Sequence, residues 1–335
     1  MASIQSQFEE FHTNIKLDDD DHGAKLREKR ETLVSNLRAN LAEGVPSFTY
    51  FNQGSYAMNT GKKPKDGNYD IDVGLKFDCK RDKYKDPVEL KKKIRDALAR
   101  PNRTVDIRRP CVTVTYLKDG KAEYHVDLAI YTKRDDDTLD LAMGKENSAD
   151  DKRYWQISDP QGLTSEINNR FKEQDGAQFR RCICYLKRWR DQKFSNGGAP
   201  LSIALTTAAY HWFQPHKDLS GKYVDLIALK NLTNTMLAKF GITWFESAIA
   251  DRLRVELPVT PQNDLMEKLT NAQMATFKER LIVLRDELVA AEKEALPEEA
   301  CKRLQKLFGD DFPVPTKSET AKSVNAPYVS TGTSA

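Results

Sequence analysis

QGSYAMNTGKKPKDGNYDIDVGLKF (53–77) is the stretch that decides how this chain is read. Its second half alternates, so Ile71, Val73, Leu75 and Phe77 share the core face of a β-strand. Asp70 and Asp72 then share the opposite face, roughly 7 Å apart at Cα. Two carboxylates so placed repel, and without a cation one of them tends to hold a proton. Hard divalent cations favour such oxygen ligands, and Mg2+ prefers one or two carboxylates together with substrate phosphates. Upstream, Gly54-Ser55 follows the apolar–polar stretch Phe48 to Phe51 and precedes a short helical segment. Glycine permits close backbone approach. A serine hydroxyl with free N–H groups at a helix start makes an anion cradle.

Further along, HVDLAIY (125–131) puts Val126 and Leu128 on one strand face and Asp127 on the other. If this strand pairs beside the first, Asp127 completes a three-carboxylate site. Such a site can hold two metals ~3.5–4 Å apart, clamping the attacking and leaving oxygens of an in-line displacement. Taken singly, a D-x-D strand edge is usually solvated, Gly-Ser is usually a turn and a lone Asp is usually a polar-face residue. Their occurrence together carries the functional reading. Around them, His125 shares the Asp127 face and is either a ligand contact or a structural residue. Tyr56 either stacks on a base or belongs to the core. Lys62, Lys63 and Lys65 either steer nucleotides or lie in a plainly exposed loop.

The rest of the chain sets limits. It has 335 residues, with 53 Lys plus Arg against 50 Asp plus Glu, a net charge of +3 that excludes a dedicated DNA-coating protein. Hydrophobic residues at 39% and charged residues at 31% exclude whole-chain disorder and collagen-like classes. No apolar run reaches the ~18–20 residues of a membrane span. MASIQSQFEEF lacks the apolar core of a signal peptide. Five scattered cysteines point to a reduced, cytoplasmic chain. Cys182 and Cys184 have no second ligand pair nearby, so zinc is not expected.

Periodicity divides the chain. Residues 1–22 read as a short amphipathic start with a solvated acid run, Asp18–Asp21. A helix is expected over 23–43, with Leu26, Leu33, Leu37 and Leu41 on one face and Gly44 ending it. Residues 46–131 read as a largely antiparallel sheet with a helix over 87–99 opened by Pro87, and Lys118 to Lys121 supply a hairpin turn. Residues 132–160 are polar and loop-rich. An α bundle follows, marked by Phe179, Cys182, Ile183, Leu186 and Trp189. A second helix is opened by Pro200, and further helices fall near 222–240, 262–294 and 297–308. The expected class is α+β and the expected organisation is 1–160, a catalytic core with an N-terminal helix; 161–312, a helical lobe; and 313–335, a flexible tail.

GSYAMNT (54–60), YDIDVGLKF (69–77), HVDLAIY (125–131), RCICYLKRWRDQ (181–192), APLSIALTTAAYHW (199–212) and LFGDDFPVP (307–315) together resemble the bacterial cGAS/DncV-like nucleotidyltransferases. These enzymes belong to the DNA-polymerase-β-like superfamily and make cyclic oligonucleotide signals in antiphage defence. The resemblance covers about residues 1–315. The fourteen residues between Ser55 and Asp70 exceed the superfamily's usual spacing, and the excess is the basic insert GKKPKDGN.

The resemblance implies a bilobal enzyme that takes NTPs, ATP and GTP foremost, in the cleft between its lobes. It implies that Asp70, Asp72 and Asp127 bind two Mg2+ ions (Mn2+ as a substitute), with Asp127 orienting or deprotonating the attacking ribose hydroxyl. Gly54 and Ser55 would contact the triphosphate, and Lys187 and Ser202 would hold its β- and γ-phosphates. On the residues alone, Lys187 either projects into the cleft or is a solvated lysine beside Arg188 and Arg190. Ser202 is either a phosphate ligand or an ordinary helix-start residue. The resemblance also suggests a companion regulatory protein or one that conjugates the tail; it implies no membrane and no nucleic-acid activator. The competing functions are nucleotidyl transfer to RNA 3′ ends or to a small molecule, and a catalytically silent nucleotide sensor.

Overall fold

The computed structural model describes residues 3–17, 22–65, 67, 69–118, 121–194 and 197–316. The acid run Asp18–Asp21, the turn residues Asp119 and Gly120, and the tail beyond residue 316 lie outside the described residues.

In chain order, α1 (Gln5–Ile15) and α2 (His22–Asn40) precede β1 (Phe48–Gln53), the short α3 (Gly54–Ala57) and β2 (Tyr69–Phe77). Next come α4 (Pro87–Leu98), β3 (Arg103–Ile107), β4 (Val112–Lys118), β5 (Lys121–Lys133), β6 (Leu139–Met143) and β7 (Tyr154–Ser158). The remaining elements are α5 (Pro160–Asn169), α6 (Glu173–Lys193), α7 (Ser202–Trp212), α8 (Asp225–Ala238), β8 (Gly241–Phe245), β9 (Ala248–Arg252), α9 (Asn271–Lys293) and α10 (Pro297–Phe308).

Seven strands form one sheet in the order β1-β2-β5-β4-β3, with β6 on β5 and β7 on β6. Every pairing is antiparallel except β2 with β5. Parallel neighbours need a long crossover, and α4 with β3 and β4 supplies it. The alternating residues Ile71, Val73, Leu75 and Phe77 are buried, as are Val126, Leu128 and Ile130, against Leu33 of α2 and Ile94 of α4. Pro87 sits in the first turn of α4, and the Asp86 carboxylate caps it by accepting from the Val88 N–H at 2.9 Å.

The helical layer has its own core around α6, whose Phe179, Cys182, Ile183, Leu186 and Trp189 are all buried. The N-terminal helix belongs here. Phe8 and Phe11 of α1 pack on Tyr185, Phe308 and Phe312 with ring centroids 5.0–5.3 Å apart. Grouping α1 with residues 1–160 follows chain order, but its apolar face is covered by the helices instead.

Other expectations also change. Residues 132–160 hold loops, as expected, but also the strands β6 and β7, which extend the sheet. The second half is not purely helical, because β8 and β9 form a hairpin whose turn residues Glu246 and Ser247 both have positive φ. Such a turn usually announces itself with Asn-Gly or Asp-Gly, and Glu-Ser gives no such signal. The helix expected from 262 begins at Asn271, where Thr270 and Gln273 form a reciprocal capping box. The first long helix stops at Asn40, and Gly44, at φ +81°, serves the turn into β1. All five cysteines are free thiols, and Cys182 and Cys184 are buried in the helical core. Among the described residues no helix is long and apolar enough to cross a membrane.

Candidate active site

The site forms where β1 turns through α3 toward β2. Gln53, the last residue of β1, lies opposite Asp72 of β2. Gly54 follows at φ +66°, and a Cβ there would lie 1.9 Å from the Asp72 Oδ2. The Asp72 carboxylate therefore rests against the bare Cα, and only glycine fits both the backbone conformation and the gap.

The parallel register sets Asp72 beside Asp127 and Asp70 beside His125. All three aspartates thus share one sheet face, on adjacent strands. Asp127 Oδ1 accepts a 2.6 Å hydrogen bond from the Thr113 hydroxyl, directly opposite on β4. Two rungs away on the same face, the Thr115 hydroxyl and His125 Nδ1 are 2.9 Å apart.

A cavity of about 440 Å3 opens between the sheet and the helices. Gly54, Ser55, Asp70 and Asp72 line it from the sheet side, Lys187 and Ser202 from the helical side. Asp127 faces a second cavity of about 540 Å3, walled by Arg108, Pro110, Cys111, Thr113 and His125. Asp70 lines both.

Electrostatics follow from crowding. Burial, then repulsion from Asp70 and Asp127, pushes Asp72 up to about 7 against the opposing pull of Lys187. Asp70 is raised in the same direction by burial and by Asp127, with Lys62 opposing. Asp70 keeps accessible surface, so solvent screens its shift more than that of Asp72. Among the described residues no three Asp, Glu, His or Cys side chains close on one point as a ready-made metal group. The donor chemistry nevertheless suits a hard divalent ion: three carboxylates on one face, two of them with raised proton affinity that a cation would relieve.

Lys187 is not the solvated lysine of the alternative reading. It is only 3% exposed, and its ammonium donates to the Thr60 carbonyl at 3.1 Å and the Thr60 hydroxyl at 3.0 Å. Burial, with Lys62 adding to it, draws it down to about 8. Ser202 opens α7, two residues later than Pro200 suggests, because the Pro200 carbonyl accepts from Arg190 Nε at 2.6 Å. The Ser202 hydroxyl lies 3.3 Å from Arg190 Nη1.

The described part of the basic insert is sewn to α6. Lys62 pairs with Asp191, Lys65 donates to Gln192 at 2.6 Å, and Arg188 donates to the Lys63 carbonyl at 2.9 Å. Asp66 and Asn68 of that insert lie outside the described residues. Tyr56 is turned away from the cavity; its hydroxyl accepts from Arg27 at 2.9 Å and its ring packs on the sheet core. Sequence reading missed Thr113, the Tyr131–Gln53 hydrogen bond of 2.9 Å on the cavity wall and the lining segment from Leu257 to Pro261. Only the place of Gln53 just before Gly54 offered a signal.

A sheet lobe bearing three aspartates and a Gly-Ser turn, with a facing helical lobe, gives the chain a bilobal fold of the polymerase-β-like nucleotidyltransferase type. Residues 48–131 match the family described as "Cyclic GMP-AMP synthase DncV-like, nucleotidyltransferase domain". The fold of the chain is similar to that of the Bradyrhizobium diazoefficiens CD-NTase CdnG, solved in complex with GTP (TM-score 0.71, 18% identity, covering 92% of this chain and 96% of that one). It is also similar to the Vibrio cholerae DncV cyclic AMP-GMP synthase (TM-score 0.62, 19% identity, 95% and 83% covered). A third similar structure is Escherichia coli DncV with bound 3′-deoxy GTP (TM-score 0.60, 19% identity, 91% and 86% covered).

Proposed function

We propose that this chain joins nucleoside triphosphates, ATP and GTP foremost, into a cyclic di- or trinucleotide, releasing pyrophosphate. The observation that carries the reading is the parallel register of Asp72 and Asp127 beside Asp70, with Gly54-Ser55 and Lys187 around the cavity that Asp70 and Asp72 line. The donor triphosphate occupies the first cavity, where Ser55, Lys187 and Ser202 meet its phosphates. The acceptor nucleotide occupies the second, with its ribose hydroxyl at Asp127. The hydroxyl oxygen bonds to the donor α-phosphorus, its proton passes toward Asp127 and the bond to pyrophosphate breaks. A second round on the linear intermediate closes the ring. Asp70, Asp72 and Asp127 are the residues that would hold Mg2+, or Mn2+ in its place, and a metal ion bound there neutralises charge on the phosphate oxygens. Positioning of two bound substrates supplies much of the remaining rate gain. The similarity to DncV and CdnG supports a signalling product, and by the same family resemblance we assign it to antiphage defence in the cytoplasm.

The test is the double variant Asp70→Asn with Asp72→Asn, incubated with Mg2+ and the four NTPs and analysed by chromatography. Phosphatase-resistant oligonucleotides from the parent chain, and none from a folded variant, support the reading. Equal product from both refutes the roles of the aspartates. Product only with added RNA or a small hydroxylated acceptor supports transfer to that acceptor instead. Nucleotide binding without turnover supports a sensor.

A further inference from the structure

Lys91 of α4 has no exposed surface, and among the described residues no carboxylate figures among the groups acting on it. Its ammonium donates to three backbone carbonyls: Arg108 at 3.1 Å, Arg109 at 2.7 Å and Gly144 at 3.1 Å. An ammonium has three hydrogens, so every one is used. Two of the acceptors belong to the turn between β3 and β4. That turn is closed by the Arg108 N–H to the Cys111 carbonyl at 2.9 Å and tied to the end of β6 by the Gly144 N–H to the Arg109 carbonyl at 2.9 Å.

Packing alone does not account for a lysine here. A buried charge is often replaced by hydrocarbon of similar volume at no loss of stability. What the ammonium adds is a fixed position for three carbonyls at once. The turn it fixes forms part of the second cavity's wall, through Arg108, Pro110 and Cys111, in the same cavity as Asp127. Arg108 is the cation on that wall. Its guanidinium is more than half exposed and stands 4.0 Å from Asp106, so it is open to an anion. Burial draws the Lys91 ammonium down to about 8, which still leaves it mainly protonated at neutral pH.

We propose that Lys91 is a positioning residue: it holds the Arg108–Cys111 turn so that Arg108 meets the phosphates of the second nucleotide while Asp127 meets its hydroxyl. The proposal rests on the function assigned above and adds which residues hold and orient the phosphates of the acceptor nucleotide.

The experiment compares the parent chain with Lys91→Met, Lys91→Arg and Arg108→Ala, using calorimetric titration with a non-hydrolysable GTP analogue in Mg2+. Amide hydrogen exchange at 108, 109, 111 and 144 is followed in parallel. The parent chain is expected to bind two equivalents. Lys91→Met and Arg108→Ala keep the first and weaken the second at least tenfold, while Lys91→Arg recovers part of that loss. Exchange at 108, 109, 111 and 144 speeds up in Lys91→Met and stays unchanged in β2. If Lys91→Met does not fold, Arg108→Ala, with its exposed side chain, decides. A single equivalent in the parent chain, or an unchanged second equivalent in the variants, overturns the proposal. A parent chain that binds no nucleotide overturns the functional reading instead, and the exchange comparison still decides whether Lys91 holds the turn.

Discussion

At Gly54 one hydrogen atom separates a working cleft from a blocked one. An added methyl would collide with the Asp72 carboxylate, and the backbone conformation there strains any other residue. Gly54→Ala is expected to lower product formation at least a hundredfold while circular dichroism stays unchanged; near-parental turnover would show that Asp72 can move aside. Thr113 acts on the other flank. A hydrogen bond to a charged group contributes about 1.5–3 kcal/mol, so Thr113→Val should slow turnover roughly tenfold or more, and Thr113→Ser should restore it. Equal rates in all three would show that Asp127 is oriented without the hydroxyl. The aspartates were legible in the sequence because alternation alone assigns a strand face. Thr113 was not, because its partner depends on the register between β4 and β5, which no local pattern states. Lys187 was ambiguous for a similar reason: Arg188 beside it reads as a solvated charge run, yet both side chains are buried.

Among the elements, α1 shows a long-range dependence. Its aromatic face closes the helical core, so Phe11→Ala should cost about 3–5 kcal/mol, read as a lowered denaturation midpoint. On the same helix, burial, with Arg181 and Lys16 nearby, holds His12 down to about 4 from 6.5. The folded chain keeps this imidazole neutral where the unfolded chain takes up a proton. Stability from His12 is therefore full above pH 6.5 and falls as the pH drops from there toward 4. His12→Gln should flatten that part of the stability curve, by at most about 3 kcal/mol; an unaltered slope would assign the titration elsewhere. Sequence periodicity revealed α1 as an element but not the layer it joins, since an amphipathic stripe names no partner. Strands β6 to β9 were missed for want of length and of turn residues with a strong signal.

Over the whole molecule, the sheet and the helices are joined by the segment from Thr60 to Lys65 through Lys187, Arg188, Asp191 and Gln192. Asp191→Ala removes the partner of Lys62. It should speed proteolytic nicking at Lys62–Lys65 several-fold while changing the thermal midpoint little, because partly exposed ion pairs contribute about 1 kcal/mol or less. Protection equal to the parent chain would show that the other three contacts suffice. The parallel pairing of β2 and β5 has a consequence in time. During synthesis Asp70 and Asp72 leave the ribosome well before Asp127, and the slot beside them stays open until the crossover is complete. A chain released before the crossover is complete therefore carries two of the three aspartates and lacks the third.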